Sequence, residues 1–433
     1  MRIALIAGYS SKEIRKHLEL KNDSKLYHGL IRLLRLPARV GIFSDTVPWV
    51  IPIIDDLKKR PDVELHVVAP HIRLKKNYQR FEMGEVTYHY FPAELTSILR
   101  LLRNYKLWKI LQQSKRHARR ILKEIKPDIV LLSGAENPVT SGAIFGAAEY
   151  PCVCLCQTIY NDPKMFKYTK PDRLRQQLEL DIFREIKYFG VYCKKHYDLL
   201  RANSIDRFIF RFNYPTSTNF PIPLDIPKEY DFVNFAQLHS AAKGTPDSIK
   251  ALAIVKRQFP NVTLNIVGGC DSVMRSELEN IITENNLEDN VVFTPFIEQK
   301  EDLLKHIQKS RFGVLPCKLD NTSGTMSQCM IRRIPIVVYK TTGTPAFNKV
   351  RQCALIAEMD DIEGLANHMI TLMSNLELAE ELKENGRWYK ENQAEIHIKN
   401  WQKFVEIMPY IIEHFSKGTP IPQKYIYIPN TED

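Results

Sequence analysis

The polar run Asp320-Asn321-Thr322-Ser323-Gly324 sits between two apolar stretches. Residues 312–315 before it read as a buried strand. A short helix from 325 to about 331 and a second buried strand, 334–339, follow it. In a parallel sheet such a loop lies at the carboxyl end of its strand, where open α/β sheets bind ligands. A helix N-terminus there presents unpaired N–H groups and partial positive charge, which suits a phosphate. Thr322 and Ser323 can cap the helix or donate to an anion, although an ordinary capped turn would carry the same residues. Lys243, opening another helix, offers a cation to phosphate oxygens; a solvated lysine is the plain alternative. Gly268-Gly269 at a strand end permits close backbone approach to a ligand. Glu136 and Asn137 end a further strand, placed either to contact a ligand or to make the turn before Pro138.

The elements that must position these residues alternate along the chain. Strand-like runs at 2–7, 40–43, 64–69, 129–132, 150–157, 231–236, 263–267 and 290–293 are separated by helical stretches, the pattern of an α/β protein with parallel sheets. Helices are expected at 50–59, 246–258, 275–285, 300–309, 365–373, 376–392 and 401–414, and residues 9–37 read as a flap. A proline-rich connector between 212 and 227 marks a domain boundary. At 433 residues, 44% hydrophobic and 26% charged, the chain has the composition of a globular protein with two or three domains. No run of 18 apolar residues is present, and the N-terminus turns polar too soon for a signal peptide. Eight scattered cysteines lack the paired spacing of zinc ligands and read as reduced, structural thiols of a cytoplasmic protein.

A net charge of +11 favours anionic partners. Residues 98–126 concentrate ten Lys/Arg against the single acid Glu124. A basic amphipathic helix can lie on an anionic membrane, so a peripheral location is one expectation; a core-packed helix with a solvated basic face is the other. Nucleic acid is not expected, because no binding motif and no regular aromatic interleaving accompany the charge.

Residues 231–395 resemble the donor domain of retaining glycosyltransferases of family 4, the group 1 transferases. The resemblance rests on Ala242-Lys243-Gly244 opening a helix, Phe259-Pro260 before Leu264-Asn265-Ile266-Val267-Gly268-Gly269, Leu287–Phe293, Gly313-Val314-Leu315-Pro316, and Pro335-Ile336-Val337-Val338. Lys126–Val130 followed by Gly134–Pro138 resembles the acceptor domain more loosely. The resemblance implies a GT-B fold: two Rossmann-like domains facing across a cleft, with the C-terminal helix crossing back to the first. The expected divisions are an acceptor domain over 1–215, a nucleotide-sugar donor domain over 216–402, and a tail over 403–433.

It also implies sugar transfer from a nucleotide-sugar, a substrate and not a cofactor, with no obligatory metal. The family's acidic pair falls on Asp320 and Gln328, the first for the donor sugar and the second for the ribose. A neutral amide thus stands where the family has an acid, and Arg333 where it has a small residue. Asp320 and Lys243 are the catalytic candidates. Gln237, His239, Gly268, Gly269, Phe296, Ile297, Thr322, Ser323, Gly324, Thr325 and Gln328 are the donor-binding candidates; Glu136 and Asn137 are the acceptor-binding ones. The expected acceptor is a polysaccharide or glycolipid. The altered pair keeps open an inactive GT-B scaffold, and a nucleotide-sugar epimerase is a further alternative.

Overall fold

A computed structural model describes residues 1–21, 49–71, 73–92, 103–163, 172–216, 218, 220–221, 223–236, 241–318 and 323–429. The described residues up to Thr216, together with those from Ile396 onward, form one compact unit; those between form a second.

The first unit is built on eight described strands: β1 (Arg2–Ile6), β2 (Glu64–His71), β3 (Gln79–Met83), β4 (Val86–Pro92), β5 (Ile129–Ser133), β6 (Cys152–Leu155), β7 (Tyr188–Val191) and β8 (Phe208–Arg211). Their order is β3-β4-β2-β1-β5-β6-β7-β8, and every pair is parallel except β3 with β4. Helices α1 (Lys12–Lys16), α2 (Val50–Leu57), α3 (Arg103–Ile125), α4 (Pro138–Ser141), α5 (Arg173–Glu185) and α6 (Lys194–Ala202) lie among them in sequence. A strand alternates its side chains between faces, and here both faces are covered. Ile3, Leu5, Leu65, Val67, Ile129 and Leu131 enter one core layer; Ala4, Ile6, Val68, Val130 and Leu132 enter the other.

Helix α3 settles how its basic stretch is used from residue 112 onward. Ala118, Ile121, Leu122 and Ile125 are buried in the second layer, while Lys115, Arg116, Arg119, Arg120 and Lys123 are exposed. Arg119 pairs with Glu149, and Arg120 lies over the Tyr78 ring. The apolar side of this part of the helix is therefore occupied by the protein's own core, which leaves a solvated basic face. Among the described residues no helix is long and apolar enough to cross a membrane.

The second unit holds β9 (Tyr230–Phe235), β10 (Leu264–Val267), β11 (Val291–Thr294), β12 (Ser310–Leu315), β13 (Ile336–Tyr339) and β14 (Leu355–Ala357) in the order β11-β10-β9-β12-β13-β14, all parallel. Its helices are α7 (Thr245–Lys256), α8 (Ser272–Glu284), α9 (Lys300–His306), α10 (Gly324–Ile331) and α11 (Ile362–Ser374). The expected α/β architecture with parallel sheets is thus what the chain adopts. Two of the expected helices differ. The two helices expected at 376–392 and 401–414 are a single helix of 42 residues, α12 (Leu376–Lys417). The polar stretch between them contains no glycine or proline to stop it, and Pro409 is tolerated further on. The first part of α12 belongs to the second unit and the part from Ile396 to the first, where Trp401, Phe404, Ile407, Met408 and Ile411 join the core beside α2. The indole Nε1 of Trp401 donates to Asp56 Oδ2 at 2.7 Å. The strand expected at 40–43 and most of the expected flap lie outside the described residues.

Candidate functional site

In the second sheet the chain winds outward from β9 through β10 to β11, then returns to the other side of β9 with β12. The carboxyl ends of β9 and β12 therefore flank a topological switch point, the place where doubly wound sheets open a crevice for ligands. The loops that leave these two ends are in direct contact. Lys318 N donates to Ala242 O at 2.9 Å. Gly244 has φ +83°, and a Cβ there would stand 2.1 Å from the Pro316 carbonyl oxygen, so neither the backbone angle nor the space admits another residue without a shift. Lys243 ends a 3₁₀ turn, Ala241–Lys243, immediately before this glycine.

A buried polar network holds the start of α7 under Lys243. Asn234 Nδ2 donates to Ser248 Oγ (3.0 Å) and to Val314 O (2.9 Å), Thr245 Oγ1 donates to Asn234 Oδ1 (3.0 Å), and Ser248 Oγ donates to Gly244 O (3.2 Å). Lys318 Nζ reaches Asp247 Oδ2 (2.8 Å) and Asp360 Oδ1 (2.9 Å), and the Tyr339 hydroxyl donates to Asp247 (2.9 Å). Such groups are stable out of water only when paired, and these are. Burial and the Asp247 carboxylate together raise the Tyr339 hydroxyl well above its ordinary range. The sequence carries a signal for this network: Asn234 interrupts the buried apolar run of Phe232, Val233 and Phe235.

The helix that faces the same crevice is α10. Ser323 is its N-cap, with Oγ accepting from Met326 N at 3.4 Å and lying 2.6 Å from Thr325 Oγ1. A Cβ on Gly324 would meet nothing within 4 Å among the described residues. Gly268 and Gly269 follow β10, with Gly268 at φ +145°. Phe296, 44% exposed, and Ile297 follow β11. The carboxyl ends of four neighbouring strands thus bring together Lys243, Gly268, Gly269, Phe296, Ile297, Ser323, Gly324 and Thr325. Gln328 lies one turn into α10, and its Oε1 accepts from Arg332 Nη1 at 2.7 Å. Gln237, His239, Asp320 and Thr322 lie outside the described residues.

The first sheet has its own switch point, between β1 and β5. Glu136 and Asn137 follow β5. Asn137 does turn chemistry: its Oδ1 accepts from Val139 N at 3.2 Å and caps α4. Glu136 is of another kind. Gly134 adopts φ +76°, and the Glu136 carboxyl folds back over it, so that a Cβ on Gly134 would stand 2.2 Å from Glu136 Oε2. That oxygen is shut off from solvent and has no hydrogen-bond partner among the described residues; the Tyr214 hydroxyl and Gln157 Oε1 are in the same state. Burial pushes the Glu136 carboxyl up to about 7, with a further push from Glu179. Glu179 is fully buried but satisfied, accepting from Tyr160 N, Asn161 N and Asn161 Nδ2, each at 2.8 Å. Arg175 Nε donates to the Glu136 carbonyl at 2.5 Å.

Comparison with known proteins follows the same division. Residues 217–388 match the model of the family described as glycosyl transferases group 1. A stretch of 147 residues is 26% identical to the uncharacterized glycosyltransferase YqgM of Bacillus subtilis; it covers 34% of this chain and 40% of that relative's length. Among solved structures, sucrose-phosphate synthase from Thermosynechococcus elongatus aligns over 94% of this chain and 99% of its own, with TM-score 0.67 and 14% identity. The α,α-trehalose 6-phosphate synthase of Burkholderia multivorans aligns over 98% and 99%, with TM-score 0.66 and 10% identity. HepE of Anabaena, solved with UDP and glucose, aligns over 84% and 96%, with TM-score 0.59 and 15% identity. At these identities the structural likenesses establish the fold, which is that of two-sheet, GT-B-like proteins.

Proposed function

We propose, from the match of residues 217–388 to the group 1 glycosyl transferases, that this protein transfers a sugar from a nucleotide-sugar to a glycan or glycolipid acceptor, with retention of configuration. The observation that carries the reading is that the carboxyl ends of the neighbouring strands β10, β9 and β12 lead into the Gly268-Gly269 pair, Lys243 and the N-terminus of α10. A departing diphosphate develops negative charge on its oxygens. Lys243 and the first-turn N–H groups of α10 supply positive charge fixed in place before the reaction, so little reorganisation is needed as the bond breaks. Gly268 and Gly269 let backbone approach the nucleotide, and Phe296 offers an exposed ring to its base. Gln237, His239 and Thr322 complete the donor side, and Asp320 holds the transferred sugar through its hydroxyls. Glu136 receives the acceptor on the first unit, where a shielded carboxyl held near neutrality can give or take a proton. UDP-sugars are the first donors to test, because HepE was solved with UDP. The exposed basic face of α3 adds attraction to an anionic membrane surface on which a lipid-linked acceptor would lie.

The test is to incubate the protein with UDP- and GDP-sugars and measure released nucleoside diphosphate. Release is expected with at least one sugar. Lys243→Ala should weaken binding of the nucleoside diphosphate far more than that of the bare nucleoside, and Asp320→Asn should suppress release without unfolding the protein. Equal losses for both ligands in Lys243→Ala would remove the phosphate role. No release and no thermal shift across the panel would leave a binding scaffold as the better account.

A further inference from the structure

Gln328 and Arg332 are joined twice. The Arg332 Nη1 donates to the Gln328 carbonyl at 3.4 Å and to its side-chain Oε1 at 2.7 Å. A guanidinium carries only donors, so the amide atom that faces it must be the oxygen. The opposite rotamer would set an NH₂ against the guanidinium, donor against donor. Arg332 is half-buried and has no ion pair among the described residues. It also feels repulsion from Arg387, which is itself engaged with Glu391 and the carbonyls of Pro221 and Ile331. The Gln328 amide oxygen is therefore the acceptor that Arg332 keeps.

We propose that Arg332 is a positioning residue that locks the Gln328 amide with its NH₂ directed at the nucleotide, so that the ribose hydroxyl is recognised as a hydrogen-bond acceptor. This rests on the nucleotide-sugar reading above. It has a sharp consequence. A carboxylate at 328 would be drawn toward Arg332, and an Arg–carboxylate pair four residues apart on a helix end competes strongly with a ribose for its oxygens. Gln328→Glu alone should thus weaken nucleotide binding, although it adds the charge that would otherwise tighten the grip on a ribose.

The experiment titrates the full chain calorimetrically with UDP, 2′,3′-dideoxy-UDP and inorganic pyrophosphate, and measures thermal unfolding of each variant. Wild type should prefer UDP over the dideoxy analogue by on the order of tenfold, the scale of one hydrogen bond. Arg332→Met should erase that preference and leave pyrophosphate affinity unchanged, and Arg332→Lys should restore part of it. Gln328→Glu should lose the preference, and the double variant Arg332→Met/Gln328→Glu should regain it, because the freed carboxylate can accept from both hydroxyls. A preference unchanged in Arg332→Met, or UDP binding tightened by Gln328→Glu with Arg332 present, overturns the proposal. If wild type binds UDP and its dideoxy analogue equally, Gln328 does not meet the ribose and the positioning role falls while a diphosphate site stands. If it binds neither nucleotide nor pyrophosphate, the donor-site reading itself falls.

Discussion

Glu136 is the side chain whose chemistry is most changed by its surroundings. Its carboxyl is raised from 4.5 to about 7 by burial. A group with a raised folded pKa binds its proton more tightly when folded, so its contribution to stability is fully present below about pH 4.5 and is lost as pH rises through 7. Above pH 7 the buried anion persists at a cost. Glu136→Gln should therefore stabilise the first unit at pH 8 by up to about 3 kcal/mol and have little effect at pH 4. Urea denaturation at the two pH values measures this; equal effects at both would show that the carboxyl ionises without penalty. The same variant should abolish acceptor use if the carboxyl takes a proton in the reaction, which separates its catalytic role from its electrostatic cost.

At the scale of elements, two turns decide how the second unit presents its crevice. Gly244 joins a 3₁₀ turn to α7 while lying against the end of β12. Gly244→Ala must displace the Pro316 backbone and adopt φ near +83°. A loss of about 2–4 kcal/mol in stability is expected, with weaker nucleotide binding. The other turn ends α10. Arg333 N donates to Met330 O (3.1 Å) and Ile334 N to Cys329 O (3.0 Å), the pairing of a Schellman stop, with Arg333 at φ +56°. Arginine is strained there, and its contact with Glu384 at 3.3 Å lies on the surface, so Arg333→Gly should raise stability by about 1 kcal/mol. A drop in melting temperature would mean that the Glu384 contact outweighs the strain.

These turns also show what could be read from residues alone. Lys243-Gly244 and the loop before α10 were visible as types and spacing, and the apolar runs that became β1, β5, β9, β12 and β13 were unambiguous because each is buried on both faces. The strands β7 and β8 were not, since YFGV and FIFR each hold a single β-branched residue and do not distinguish a strand from a helix segment. Partnership was the least legible property. The i, i+4 spacing of Gln328 and Arg332 is plain in the chain, but the direction in which the amide turns depends on which acceptors a half-buried guanidinium lacks elsewhere.

For the whole molecule, the net charge of +11 and the basic face of α3 act together. Because the apolar side of α3 from residue 112 is spent on the core, attraction to a bilayer should be electrostatic and shallow. The protein should partition onto anionic vesicles, come off as salt rises past a few tenths molar, and ignore neutral vesicles. Equal binding to both vesicle types would point to an apolar insertion that this part of α3 cannot make. A sedimentation assay with vesicles of both compositions at two salt concentrations distinguishes them.

The last helix has a consequence in time. The first unit takes Trp401, Phe404, Ile407, Met408 and Ile411 into its core, each worth about 1.5–3 kcal/mol of burial, yet these residues are synthesised after the whole second unit. On the ribosome, the second unit can complete its sheet while the first still exposes the groove beside α2. The half of the chain that is made first is finished last, and during that interval its unfinished core is the surface on which a chaperone would act.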